Sequence, residues 1–247
     1  ESRGLGDVYK RQVDTLYIFS IPQDFKGLMR NSGPFWEPGR FTIYITLALA
    51  INLFYFKEKI TSKKSLVLLL TNLTTFSTTG YVATAVLFVG YIFFSNIKKS
   101  YKFILSVILL VVVYYVGQLD FMTEKIAEQS ADDSTWSRFG AIAYHWNQIT
   151  QSPIIGFGPF LSNVFGDELF SPNGLTDLMR YYGIPLSIVF YYLLYRGTKV
   201  YVGNSHKGAN VCVFVSLLLL CFSQTITYSP FFMILYFFAF NTYTYDK

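Results

Sequence analysis

The chain has 247 residues, 52% of them hydrophobic and 14% charged, with a mean hydropathy of +0.36, whereas an average soluble domain is about 25% charged. This composition excludes an ordinary soluble domain and reads as an integral membrane protein, whose bilayer and interfaces also suit an aromatic share of 19%. The net charge of +5 comes from lysines in short loops between apolar runs, a pattern that membrane topology explains without a nucleic-acid partner.

Residues 1–12, "ESRGLGDVYKRQ", have no initiating Met and do not read as a signal peptide. They resemble translated sequencing-adaptor read-through and are expected to be non-native, with an ordinary polar loop as the alternative. Residues 13–247 then read as one transmembrane domain fragment.

A spanning helix needs about 20 mostly apolar residues. Seven segments qualify, some of them short: about 40–56, 65–78, 80–96, 103–118, 174–195, 209–226 and 229–245. The predicted fold class is therefore all-α. "KEKITSKK" (57–64), "NIKKSYK" (96–102) and "RGTKVYVGNSHK" (196–207) carry the lysines and fall on one side if every intervening segment spans. The positive-inside rule makes that side cytoplasmic. The loop 119–173 is then external, with seven acids against Lys125 and Arg138. Residues 13–39 are external too, so at least one further span is expected upstream.

In "TNLTTFSTTGYVAT" (71–84), seven hydroxyl side chains surround Gly80, which is expected at the turn between two spans. Such hydroxyls either tighten helix packing or line a polar cavity. Within the external loop, Trp136, Phe139, Ile142, Ala143, Trp146 and Ile149 recur at helical spacing. They predict an amphipathic helix from about Ser134 to Thr150 on the outer membrane surface, capped by Ser134 or Asp133. Pro153 and the glycines of "SPIIGFG" end it. Arg138 and His145, seven residues apart, share a face as site candidates or as a headgroup contact and a surface residue. Asp177 and Arg180 open the fifth span, either as a site or as a self-neutralising pair.

No phosphate-binding glycine loop, dinucleotide fingerprint, metal-ligand spacing or serine-hydrolase set occurs in the sequence. Cys212 and Cys221 share one apolar run and are expected to pack as small hydrophobes. No cofactor is expected.

Four elements then carry a resemblance. "RNSGPFWEPGRF" resembles the Arg-x-x-Gly…Glu-Pro-Gly element of bacterial O-antigen polymerases and related polysaccharide polymerases, and "TTFSTTGY" resembles their Thr-Phe-Ser-x-x-Gly hairpin. "SRFGAIAYHWNQITQSPIIGFG" resembles their external-loop element ending in Ser-Pro-x-x-Gly-x-Gly, and "SPNGLTDLMRYYGI" the entry to the next span. The set keeps the family's order over most of residues 30–190. The superfamily also holds the O-antigen ligases. The resemblance implies a GT-C-like glycosyltransferase with more spans than these seven. It implies no metal or nucleotide, and an undecaprenyl-diphosphate-linked oligosaccharide donor on the outer face of the bacterial inner membrane. A chain-length regulator and a flippase are the implied protein partners. The ligases carry a His-Asn pair where this chain reads Ser171, Pro172, Asn173, which weakens the ligase alternative.

Passing a glycan from a lipid diphosphate to a hydroxyl builds charge on the leaving group, and an arginine fork can meet it. Arg138 is the first choice, followed by Arg30 and Arg40, then Arg180. Glu37 is the candidate base or orienting acceptor if burial beside Phe35 and Trp36 raises its pKa; otherwise it pairs with Arg40. Trp36 is expected to be an interface anchor and a sugar-stacking face, with membership of the aromatic belt alone as the alternative. His145 and Asn173 complete the expected substrate-binding set. A lipid-linked oligosaccharide flippase or other transporter remains the non-enzymatic alternative. It would place polar residues through several spans near the midplane, whereas here they are expected at the external surface.

Overall fold

The computed structural model describes residues 23–25, 28–35, 37–119, 123, 138–158, 161, 164, 173–202, 207–227 and 229–240. Strands β1 (Gln23–Phe25) and β2 (Leu28–Arg30) form an antiparallel hairpin with Gln23 opposite Arg30. The rest is helical: α1 (Pro38–Ala50), α2 (Lys63–Thr74), α3 (Thr78–Phe94), α4 (Lys99–Gly117), α5 (Arg138–Gln151), α6 (Gly174–Val202), α7 (Lys207–Ser223) and α8 (Pro230–Phe237).

Helix α1 starts at a proline, whose fixed φ suits the first helical position and whose missing N–H leaves no donor stranded. It runs directly into a π-turn, Ile51–Tyr55. Ser62 caps α2 by accepting from Ser65 N, and Ser77 caps α3 by accepting from Gly80 N. The corner between α2 and α3 falls at residues 75–77, with Phe76 at φ 44°. Gly80 therefore lies inside the first turn of α3 rather than at the turn. A Cβ there would run into the Thr42 side chain, so the glycine lets α1 and α3 approach. Around it Thr42 Oγ1 donates to Asn72 Oδ1, Asn72 Nδ2 donates to Thr84 Oγ1 at 2.8 Å, and Thr46 and Thr84 hydroxyls lie 3.5 Å apart. The hydroxyl-rich hairpin stitches three helices together, which is the packing alternative.

Helix α7 packs along α3 and α6. Leu47, Leu87, Val213, Leu217, Leu220 and Phe232 lie in the core between them. Gly90 brings α3 against Cys212, and Ser216 Oγ donates to Ala83 O at 2.7 Å. Cys212 and Cys221 are both free thiols. The connections carrying Lys57, Lys59, Lys98 and Lys99 share one end of the bundle. There Asn52 Nδ2 donates to Ser65 Oγ, Lys102 Nζ reaches Phe93 O, and Gly208 meets the Phe94 ring. At the other, upper end Arg30 Nε donates to Thr75 O at 3.3 Å and Asn31 N to Thr74 O at 2.9 Å.

By length and composition, α4 is the one helix among the described residues that could cross a membrane; Thr78–Phe94 and Gly208–Ser223 are apolar but shorter. Other segments lose length to local geometry. α1 changes to a π-turn, α2 stops at Thr74, and α8 tightens into a 3₁₀ turn at Phe238–Phe240. No residue of α4 is buried, and Phe103 and Leu110 are 72% and 70% exposed.

Helix α6 is not a straight span. Gly183 breaks it at φ 75°, ψ 168°, ahead of Pro185. Tyr191 OH donates to Leu175 O at 2.7 Å, although sixteen residues of straight helix would part those positions by about 24 Å. The arm 174–182 therefore folds back toward the arm 184–202. At the apex Phe157 N donates to Arg180 O at 2.9 Å and Ile184 N to Pro153 O at 2.8 Å. Gly156, at φ 72°, meets the Tyr181 carbonyl, and Gly183 meets that of Ile154.

Gly183→Ala combines a left-handed φ with a backbone collision, whereas Gly158→Ala meets a φ of 53° and open space. Thermal unfolding is expected to show Gly183→Ala about 1–3 kcal/mol worse than Gly158→Ala. Equal effects would mean that the apex yields.

Candidate functional site

The upper end gathers polar groups from distant parts of the chain. Glu37 sits at the N-cap of α1 in extended conformation, and its side chain makes no cap bond. Its Oε1 instead accepts from Gln224 Nε2 at 2.7 Å, just beyond α7. A Cβ at Gly39 would stand 2.7 Å from Gln224 Nε2 and 3.2 Å from Glu37 Oε1. The glycine of the Glu-Pro-Gly element thus leaves room for this pair. Arg40, half-buried in the first turn of α1, interacts electrostatically with Glu37 and Tyr44. The Phe35 ring stacks on Tyr44 at 4.5 Å. Trp36 lies outside the described residues. Arg30 is half-buried at the end of β2 and tied to Thr75 O.

A second group forms where α5 packs on the first arm of α6. Asn173 caps that arm; its Oδ1 accepts from Leu175 N at 3.1 Å and Thr176 N at 3.3 Å. One turn on, Arg180 Nε donates to Asp177 Oδ1 at 2.6 Å, with the two residues 1% and 3% exposed. Arg180 Nη1 also donates to Gln148 Oε1 at 3.3 Å, and His145 Nδ1 shares a 2.7 Å hydrogen bond with Thr176 Oγ1. Asp177 and Arg180 therefore pair as neighbours, within a larger network.

Helix α5 begins, among the described residues, at Arg138, so the expected cap at Asp133 or Ser134 lies outside them, as does Trp136. Its buried face departs in part from the expected stripe. Ile149 is buried as expected, but Ala141, His145 and Gln148 face inward with it, while Ala143 and Trp146 are exposed. His145 is thus buried rather than a surface residue. Hydrogen bonds to α6 select that face in preference to apolar periodicity. The Arg138 backbone opens α5; its side chain lies outside the described residues.

The two groups adjoin. A Cβ on Gly174 would strike Gln224 O and come within 2.9 Å of Cys221 O, so the start of α6 rests on the end of α7. Sequence reasoning brought Glu37 and Arg40, and His145, Asn173 and Arg180, to one end. It missed Gln148 and Gln224. The spacing of Gln148, three residues after His145, could have signalled the first. "SQT" closing an apolar run could have signalled the second. It also expected polar residues to concentrate at the external end, but Thr42, Thr46, Asn72, Thr84, Thr198 and Asn210 are buried within the bundle. Interhelical hydrogen bonds account for them. Among the described residues no group of three His, Cys, Asp or Glu stands ready to hold a metal ion.

Chemically, the upper end offers a carboxylate held by a neutral amide, with cationic side chains on β2 and α1 around it. Burial pushes His145 down from 6.5 to about 3, and the Arg180 guanidinium adds to the shift. The unfolded chain takes up a proton near pH 6.5 and the folded protein only near 3, so this stability is full above pH 6.5 and declines as pH falls. At pH 5 the loss is on the order of 2 kcal/mol. Unfolding midpoints from pH 7 to 4 should therefore fall more steeply for the wild type than for His145→Asn; parallel curves would exclude the effect. Asp177→Asn leaves a buried guanidinium uncompensated and should cost about 3–5 kcal/mol. Adding Arg180→Gln should recover part of that loss in the same unfolding measurement.

No protein-family model, curated protein or solved structure matches the chain.

Proposed function

We propose that the chain is part of a multi-span membrane glycosyltransferase that joins undecaprenyl-diphosphate-linked oligosaccharide repeat units into a surface polysaccharide. The observation that carries this reading is the convergence of the four family-like segments on one end of the bundle. Residues 30–31 bond the 74–75 corner, His145 and Gln148 bond the start of α6, and the 152–158 turn bonds its apex. Gln224 joins Glu37 beside Gly174.

A bilayer is supported by the exposed apolar surface of α4, which water would solvate poorly, and by the lysines gathered at one end. In this reading that end is cytoplasmic, and about seven helices span the inner membrane. The upper end then faces the outer surface, where the lipid-linked donor and acceptor meet. Glu37 accepts or orients the acceptor hydroxyl. Arg138, at the start of α5, meets the charge developing on the leaving diphosphate, with Arg30 and Arg40 as further cations. Arg180, fixed by Asp177 and Gln148, acts by shaping the start of α6.

Two alternatives differ in product. A ligase would transfer glycan to the lipid A core, and Asn173, a helix cap here, follows Pro172 rather than a histidine. A transporter would need polar groups inside the bundle, and the buried Thr42–Asn72–Thr84 network is such a group, its members bonded to one another across three helices.

The test expresses the chain within its full reading frame in a host deleted for the gene and resolves membrane glycans by length. The wild type should restore a ladder. Arg138→Ala and Glu37→Gln should collapse it to single repeats, a loss on the order of 10²-fold or more, with normal protein levels. Arg138→Lys should rescue only in part, because charge survives and the fork does not. Single repeats appearing on the outer face without any ladder would favour transport, and glycan moved to the lipid A core would favour ligation.

A further inference from the structure

We infer that Gln224 is a positioning residue for Glu37, holding its carboxylate toward the acceptor hydroxyl; this rests on the polymerase reading above. Glu37 is placed where a carboxylate would ordinarily turn back to cap its own helix, yet it makes no such bond. Its oxygen is given to Gln224 at 2.7 Å, across 187 residues of chain. The residue that carries the amide is itself well fixed. Gln224 is 7% exposed, its backbone N–H donates to Cys221 O at 3.3 Å, and its backbone carbonyl accepts from Ile226 N at 2.9 Å.

Two glycines clear space around Gln224. Gly39 lies against its side-chain nitrogen, and Gly174 lies against its backbone carbonyl. A larger residue at 39 would displace the side-chain amide, and one at 174 the backbone that carries it. Proline at 38 fixes the backbone between the carboxylate and the first of these glycines.

The choice of an amide has a chemical consequence. A lysine or arginine in the same place would orient the carboxylate but also add a second full positive charge to that of Arg40. Glutamine donates one N–H and leaves the negative charge in place, and the second carboxylate oxygen, Oε2, can then accept the proton of a sugar hydroxyl. Gly174 rests on the backbone carbonyl of the same Gln224, so one residue touches both Glu37 and the start of α6.

The test uses the full-length protein in membranes, with a lipid-linked repeat unit as substrate. Gln224→Ala should lower the rate of chain extension at saturating substrate on the order of 10²-fold, with half-saturation unchanged. Combined with Glu37→Gln, it should add little further loss, because both changes remove one working unit. The swap Glu37→Gln/Gln224→Glu keeps a carboxylate–amide hydrogen bond and should unfold like the wild type while remaining slow, a split that a purely structural role would not give. Full activity in Gln224→Ala, or losses that multiply in the double variant, would overturn the inference. If the wild type extends no chain, the polymerase reading fails. The thermal-unfolding cycle of Glu37→Gln and Gln224→Ala then still decides the contact: non-additive shifts support it, and additive shifts overturn it.

Discussion

In an unbroken helix the Ile184 N–H would bond the Arg180 carbonyl; in α6 the turn 152–158 takes both places, accepting from one through Pro153 and donating to the other through Phe157. The break costs less here because the turn pairs both of these groups, which lose each other as partners. Both sides of the junction also need backbone close to backbone, which only Gly156 and Gly183 allow. With the turn in place the two arms of α6 can fold toward one another, and the Tyr191 hydroxyl ties the outer arm to Leu175.

The polar network beside that junction inherits its geometry. His145 and Gln148 stand on the helix that the turn terminates, and Thr176, Asp177 and Arg180 on the arm it receives. A buried ion pair repays its desolvation only with near-ideal geometry and further hydrogen bonds. The 2.6 Å contact and the Gln148 carbonyl meet that demand. These groups specify how α5 sits on α6 more than they drive folding. The apolar core around α7 supplies the driving force.

Helical class and the order of helices were legible from apolar runs, and the grouping of Glu37, Arg40, His145, Asn173 and Arg180 at one end from their place relative to the lysine loops. The acute bend of α6 was not. "YYGIP" announces a break but carries no angle, and the angle is set by a turn some thirty residues earlier in the chain. The inward face of α5 was misread for a related reason. Periodicity ranks side chains by hydropathy, yet His145 and Gln148 are buried because α6 offers them partners and Trp146 has none there. Gly80 was placed at a corner because glycine favours turns, but Phe76 takes the left-handed conformation instead and Gly80 serves an interhelical approach. Glu37 was legible as a candidate, whereas "SQT" marks Gln224 only as a polar end to an apolar run, and no local pattern joins it to a residue 187 positions away.

That separation also has a meaning in time. At a synthesis rate of about 5–20 residues per second, Gln224 emerges about 10–40 s after Glu37. Throughout that interval the carboxylate stands at the head of α1 without the amide that will hold it, and the start of α6 has no α7 end to rest on. The contacts of the upper end that need Gln224 thus wait for the arrival of α7, and the nascent chain carries Glu37 and Gly174 well before both can be met by that one residue.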